Sequence, residues 1–126
     1  IGESVYWLED NVFKGCSNLT NVTILPGAIT QISCSMFTDC KNLKEITIPK
    51  GVKTIDNYAF SGCSELESIT LPTGVGKIGE HAFNECTKLR AIYVPAKKTD
   101  YYNIRLKVQL WKYIVELAPV KKAKKK

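Results

Sequence analysis

Apolar residues recur along this chain at fixed steps, and the steps belong to one unit written out four times. Its clearest part is Phe13-x-x-Cys16-x-x-Leu19, repeated as Phe37, Cys40, Leu43, then Phe60, Cys63, Leu66, then Phe83, Cys86, Leu89; the phenylalanines are 24, 23 and 23 residues apart. Each phrase leads into an alternating stretch: Val22-Thr23-Ile24, Ile46-Thr47-Ile48, Ile69-Thr70-Leu71 and Ile92-Tyr93-Val94. A period of two predicts a short strand with one buried face. Pro49, Pro72 and Pro95 follow. Proline has no N–H for a ladder and keeps the residue before it extended, so each strand stops there. The pairs Val52/Ile55 and Val75/Ile78 predict a second, shorter line of extended backbone. A period this regular means rungs stacked on a shared apolar column, with no rung stable alone.

Three departures from the strict unit carry expectations of their own. Leu25 stands between Ile24 and Pro26 as one residue more than the other rungs have, which predicts a small bulge there. The run Asp56 to Cys63 has helical spacing but is too short for a stable α-helix, so one helical or 3₁₀ turn should point Phe60 and Cys63 inward. After Pro95 the period changes: Tyr101, Ile104, Val108, Trp111 and Val115 recur at helical steps behind Thr99 or Asp100 as a cap, with Pro119 as a stop. The expected organisation is a remnant of a preceding repeat or an N-terminal cap (1–11), four repeats (12–98), a helical C-terminal cap (99–118) and a disordered lysine-rich tail (119–126). Leu106, Leu110, Tyr113 and Leu117 give that helix a second apolar face, through which two copies could pair as a homodimer.

The phrase Ala-Phe-x-x-Cys-x-x-Leu-x-x-Ile-x-Ile-Pro-x-x-Val-x-x-Ile, complete in residues 59–78 with Leu71 for the last strand isoleucine, resembles the BspA-like leucine-rich repeats. The resemblance covers residues 5–95. It implies a right-handed leucine-rich-repeat solenoid of short parallel strands. In the better-known bacterial relatives it also implies a secreted or cell-surface protein that adheres to host, matrix or cell-surface proteins. No catalytic residues belong to the family's motif, so none carry over.

Charge adds little to the folded part. The formal net charge is +6, but five of the eighteen basic residues are Lys121, Lys122, Lys124, Lys125 and Lys126; the remaining thirteen face twelve acids, or +1. The tail is either a solubilising end or an electrostatic attachment to anionic polymers or lipids. Along the rungs no basic groove with interleaved aromatics can be read, so specific nucleic-acid binding is not expected. The longest apolar runs are a few residues, too short for a transmembrane segment.

The chemistry-bearing residues fit the repeat better than a site. Cys16, Cys40, Cys63 and Cys86 keep the repeat period, without a C-x-x-C pair and with His81 the only histidine. Zinc ligation therefore has no signature, and parallel side chains on stacked rungs are poorly placed for disulfides. A ladder of small buried thiols is the expected state, with Cys34 outside it and partly exposed. His81 shares its repeat position with Tyr58 and Ser35 and reads as a solvated turn residue. There is no nucleophile–base pair, phosphate loop or carboxylate pair, so neither an enzyme nor a cofactor is expected.

What varies between copies is the strand residues beside the buried ones: Asn21 and Thr23, Glu45 and Thr47, Ser68 and Thr70, Ala91 and Tyr93. They form either a plain solvated sheet face or a protein-recognition face of the kind repeat proteins use. Four rungs at about 4.8 Å by strands of roughly four residues give on the order of 250 Å². A stable interface takes about 800 Å² per partner, so turns, the terminal segment or further repeats would have to contribute. The sequence reads as a protein-interaction or adhesion module. The alternative is a cytoplasmic scaffold, or a structural repeat fragment without independent activity.

Overall fold

The computed structural model describes residues 8–95 and the backbone of a strand at Ile114–Glu116. Two parallel sheets run through the stacked rungs. The first joins β1 (Gln31–Ile32), β3 (Thr54–Ile55) and β5 (Lys77–Ile78); the second joins β2 (Glu45–Thr47), β4 (Ser68–Thr70), β6 (Ala91–Val94) and β7 (Ile114–Glu116). Pairing steps by 23 residues from β2 to β4 and from β4 to β6, with Ile46, Ile69 and Ile92 in register. Identical side chains therefore lie above one another, and the column fills itself. Ile55, Phe37, Phe60, Leu43, Leu66 and Ile69 are fully buried, each contributing roughly 1.5–3 kcal/mol by its removal from water. The rings of Phe13, Phe37, Phe60 and Phe83 form one continuous stack, with centroids 5.4, 5.4 and 5.6 Å apart, within the range favoured for offset rings.

The segment between the sheets is a chain of tight turns and not a helical turn. Ala59, Ser61, Cys63 and Leu66 each donate their N–H to the carbonyl three residues back. The run cannot wind into a helix because Tyr58 and Gly62 have φ of 58° and 77°, a left-handed conformation that a right-handed helix excludes. The same two positions are left-handed in every rung: Asn11, Ser35, Tyr58 and His81 at one, Gly15, Asp39, Gly62 and Glu85 at the other. Phe60 and Cys63 do point inward, as expected, and both are buried.

The additional residue of the first rung is Ile29, and not Leu25. Ala28 N–H closes a turn onto Leu25 O as Val52 N–H closes one onto Pro49 O, and Gly27 and Gly51 are both left-handed. Beyond the turn, Lys53 N–H pairs with Thr30 O as Gly76 N–H pairs with Lys53 O. Two residues thus separate Gly27 from Thr30 where one separates Gly51 from Lys53. Only glycine takes the third left-handed position without a steric penalty, so the glycines align and the prolines do not. Ile29 is absorbed as core, 2% exposed, while Leu25 is left 40% exposed.

At the far end, Ile114–Glu116 extends the second sheet as β7, parallel to β6, with Ile92 opposite Ile114. This corrects the helix expected over residues 99–118 at these three positions. Unpaired N–H and C=O groups on the edge of β6 are satisfied by another strand, a demand that helical periodicity does not register. The remainder of that expected helix, with the homodimer contact assigned to it, lies outside the described residues, as do 1–7 of the N-terminal remnant and the tail at 119–126.

Candidate recognition face

Register turns the strand-face positions into rows. Glu45, Ser68 and Ala91 lie side by side, and Thr47, Thr70 and Tyr93 form a second row. Glu45 and Thr47 are exposed; Ser68, Thr70 and Tyr93 are half-buried. Three of the expected positions differ. Ala91 is 6% exposed, its short side chain lying beside Ser68 of β4. Asn21 and Thr23 are exposed but belong to no strand, so the face begins at the second rung and the first rung only borders it.

One row was missed by sequence reasoning. Thr20, Lys44, Glu67 and Arg90 join Asn21, Glu45 and Ser68 in lining an open groove of about 440 Å³ along the stacking direction. They precede the strands and sit outside the alternating pattern, so only rung-by-rung alignment could have drawn attention to them. Backbone bonds hold the row: Glu67 N–H to Lys44 O at 2.8 Å and Arg90 N–H to Glu67 O at 2.9 Å. Charges of opposite sign meet between rungs, with Arg90 Nη2 3.1 Å from Glu67 Oε1 and Lys88 Nζ 2.8 Å from Glu65 Oε2. The Lys88 ammonium holds the Glu65 carboxyl below its ordinary value, and Glu65 raises Lys88. Both groups are in solvent, so the pair contributes little to stability.

The cysteine ladder has a hydrogen-bonding logic. Cys40 Sγ donates to Phe13 O at 3.2 Å, Cys63 Sγ to Phe37 O at 3.1 Å and Cys86 Sγ to Phe60 O at 3.1 Å. All five cysteines are free. Burial pushes the Cys40 thiol up to about 11, Cys86 to about 12 and Cys63 higher still, which leaves them without the thiolate a nucleophile or a metal ligand requires. Cys40 and Cys63 are buried, while Cys16 and Cys86 are half-buried like Cys34. His81 is exposed at its turn with its ring 5.2 Å from that of Tyr58. Among the described residues no group of three or more His, Cys, Asp or Glu could hold a metal ion. Among them, too, no helix is long and apolar enough to cross a membrane.

The sequence profile of the BspA type leucine rich repeat region matches residues 1–105, in six copies. The chain belongs to this family. A crystal structure of a leucine-rich repeat protein from Bacteroides ovatus is similar to this BspA-type chain, with a TM-score of 0.67 and 29% identity over 86% of the chain. The chain spans 27% of the length of that protein. No curated protein matches it. Leucine-rich repeats are in general protein-interaction architectures.

Proposed function

We propose that this chain is a non-enzymatic protein-binding module of adhesion type, acting at a cell surface or after secretion. Its recognition face would be Glu45, Thr47, Ser68, Thr70 and Tyr93, bordered by Asn21 and Thr23. The observation that carries the reading is the groove of Thr20, Asn21, Lys44, Glu45, Glu67, Ser68 and Arg90 beside those rows. It widens the strand face with side chains that vary from rung to rung, and variation on a constant column is how repeat proteins encode a partner. The strand rows alone are too small for a tight complex, so the groove supplies part of the missing area and several weak contacts add by avidity in a longer array.

The test is binding of the full chain to purified extracellular-matrix proteins at two salt concentrations, compared with Thr47→Arg/Thr70→Arg and with Lys14→Gln on another side of the rungs. Loss in the face variant, with Lys14→Gln unaffected, supports the reading. Equal binding by all three proteins removes the strand face from consideration.

A further inference from the structure

The side of the rungs formed by the Pro-Gly turns and the first sheet is chemically unlike the groove side. Segments 25–32, 48–55 and 71–78 contain Lys50, Lys53 and Lys77 and no Asp or Glu. All three lysines are exposed, and none forms an ion pair with any described residue. The groove side mixes acids with bases, Lys44 and Arg90 beside Glu45 and Glu67; this side carries bases alone.

Their placement follows from the register. Lys77 lies in the row Gln31, Thr54, Lys77, and the backbone bonds from Lys53 to Thr30 and from Gly76 to Lys53 make the next row Thr30, Lys53, Gly76. Gly27, Gly51 and Gly74 hold left-handed turns with φ of 80°, 104° and 87°, and their N–H groups enter no backbone hydrogen bond among the described residues. A Cβ at Gly74 would come within 3.2 Å of Lys53 Nζ, so the Lys53 ammonium reaches across from its own rung to the next turn. The result is a donor-rich strip of ammonium and peptide N–H groups. The nearest acids in sequence, Asp56 and Glu80, lie beyond the segments' ends; Asp56 Oδ1 already accepts the Asn57 N–H at 2.7 Å.

We propose that this turn face docks an acidic polysaccharide bearing carboxylate groups. Unpaired positive charge without interspersed acids attracts a polyanion. The neutral groups between the lysines are the Thr30, Thr54 and Thr73 side chains and the Gln31 amide, which suit a hydroxyl-rich chain. The three segments contain no aromatic residue on which bases could stack, and Leu25 is their one large exposed apolar side chain among the described residues, too little to enter a lipid layer. Lysine supplies point charges without the bidentate fork by which arginine grips one phosphate, which fits attachment spread along a polymer.

The experiment measures binding of the full chain to immobilised polygalacturonate, with neutral dextran, poly-L-glutamate and single-stranded DNA as parallel surfaces. Loss of three exposed charges predicts that Lys50→Gln/Lys53→Gln/Lys77→Gln binds polygalacturonate about tenfold more weakly, or about 1.4 kcal/mol. Replacing the five lysines of residues 121–126 by Gln, or Lys14 and Lys41 by Gln, should cost less than the triple variant. Unchanged thermal midpoints establish that each variant is folded. No binding to polygalacturonate, a greater loss in the tail variant, or equally tight binding to poly-L-glutamate or DNA would each overturn the proposal.

Discussion

Cys63 and Phe37, 26 residues apart in the chain, are joined by a hydrogen bond from the Cys63 thiol to the Phe37 carbonyl at 3.1 Å. The same carbonyl accepts the N–H of Cys40 at 3.2 Å, within its own rung. One oxygen therefore closes a turn and anchors the next rung, using both its lone pairs. Cysteine suits the position because it is small enough for the column and carries a donor that tolerates burial.

Replacing that thiol should cost stability in a graded way. Cys63→Ala loses both the bond and the packing of the sulfur, for about 1–3 kcal/mol. Cys63→Ser keeps a donor and should lose less. Urea unfolding of the two variants decides the matter: if serine proves worse than alanine, the position is apolar packing alone and the bond is incidental.

The raised thiols make the fold sensitive to alkali. The folded state holds the Cys40 proton to about 11 against an ordinary value of 9.0, so it binds more protons than the unfolded chain between those two values. Stability is thus fully present below pH 9 and falls as pH rises toward 11. Thermal midpoints measured from pH 7 to 11 should be level at first and then decline. A midpoint that stays flat through pH 10.5 rules out buried thiols as the cause. In native labelling at pH 8, Cys16 and Cys34 should react well before Cys40 and Cys63.

The left-handed turn positions separate good residues from strained ones. Glu85 has φ of 58° where Gly15 and Gly62 occupy the equivalent sites. Relief of 1–2 kcal/mol of strain, partly offset by the entropy of a freer unfolded chain, makes Glu85→Gly stabilising by about 0.5–1 kcal/mol. Gly62→Ala should go the other way by a similar amount, since the Asp39 carboxylate that a Cβ would meet is the end of an exposed side chain and can swing aside. Shifts of like size and opposite sign in urea unfolding support strain as the cause; a much larger loss at Gly62 would show that Asp39 is held in place.

Gly79 has a different reason to be glycine. A Cβ there would collide with the backbone N and Oδ1 of Asn57, and that Oδ1 accepts the Glu80 N–H at 2.9 Å. Gly79→Ala should therefore destabilise by about 1–3 kcal/mol, as overpacking does. Removing the Asn57 side chain leaves its backbone contact in place, so the double variant Asn57→Ala/Gly79→Ala should recover part of the loss and not all. Strictly additive losses would mean that the side chain takes no share in the collision.

The periodic Phe, Cys, Leu and Ile positions by themselves determined the stacked rungs, the parallel register and the membership of the column, because each needs only that equivalent residues meet at a constant step. The same information told that the thiols are inward but not what they donate to, since the Phe carbonyl belongs to the rung before. Tertiary structure alone decided three other matters. Ile29, not Leu25, is the additional residue, because a glycine must sit where φ is positive. Ile114–Glu116 is a strand, because the edge of β6 offered hydrogen bonds that outweigh helical periodicity. Ala91 is buried where its strand neighbours Ser68 and Tyr93 are not, and Lys44, Glu67 and Arg90 line a groove beside the strand rows. Exposure on a sheet depends on how far a side chain rises above its neighbours and on what flanks it, and neither is written in the alternation of a single strand.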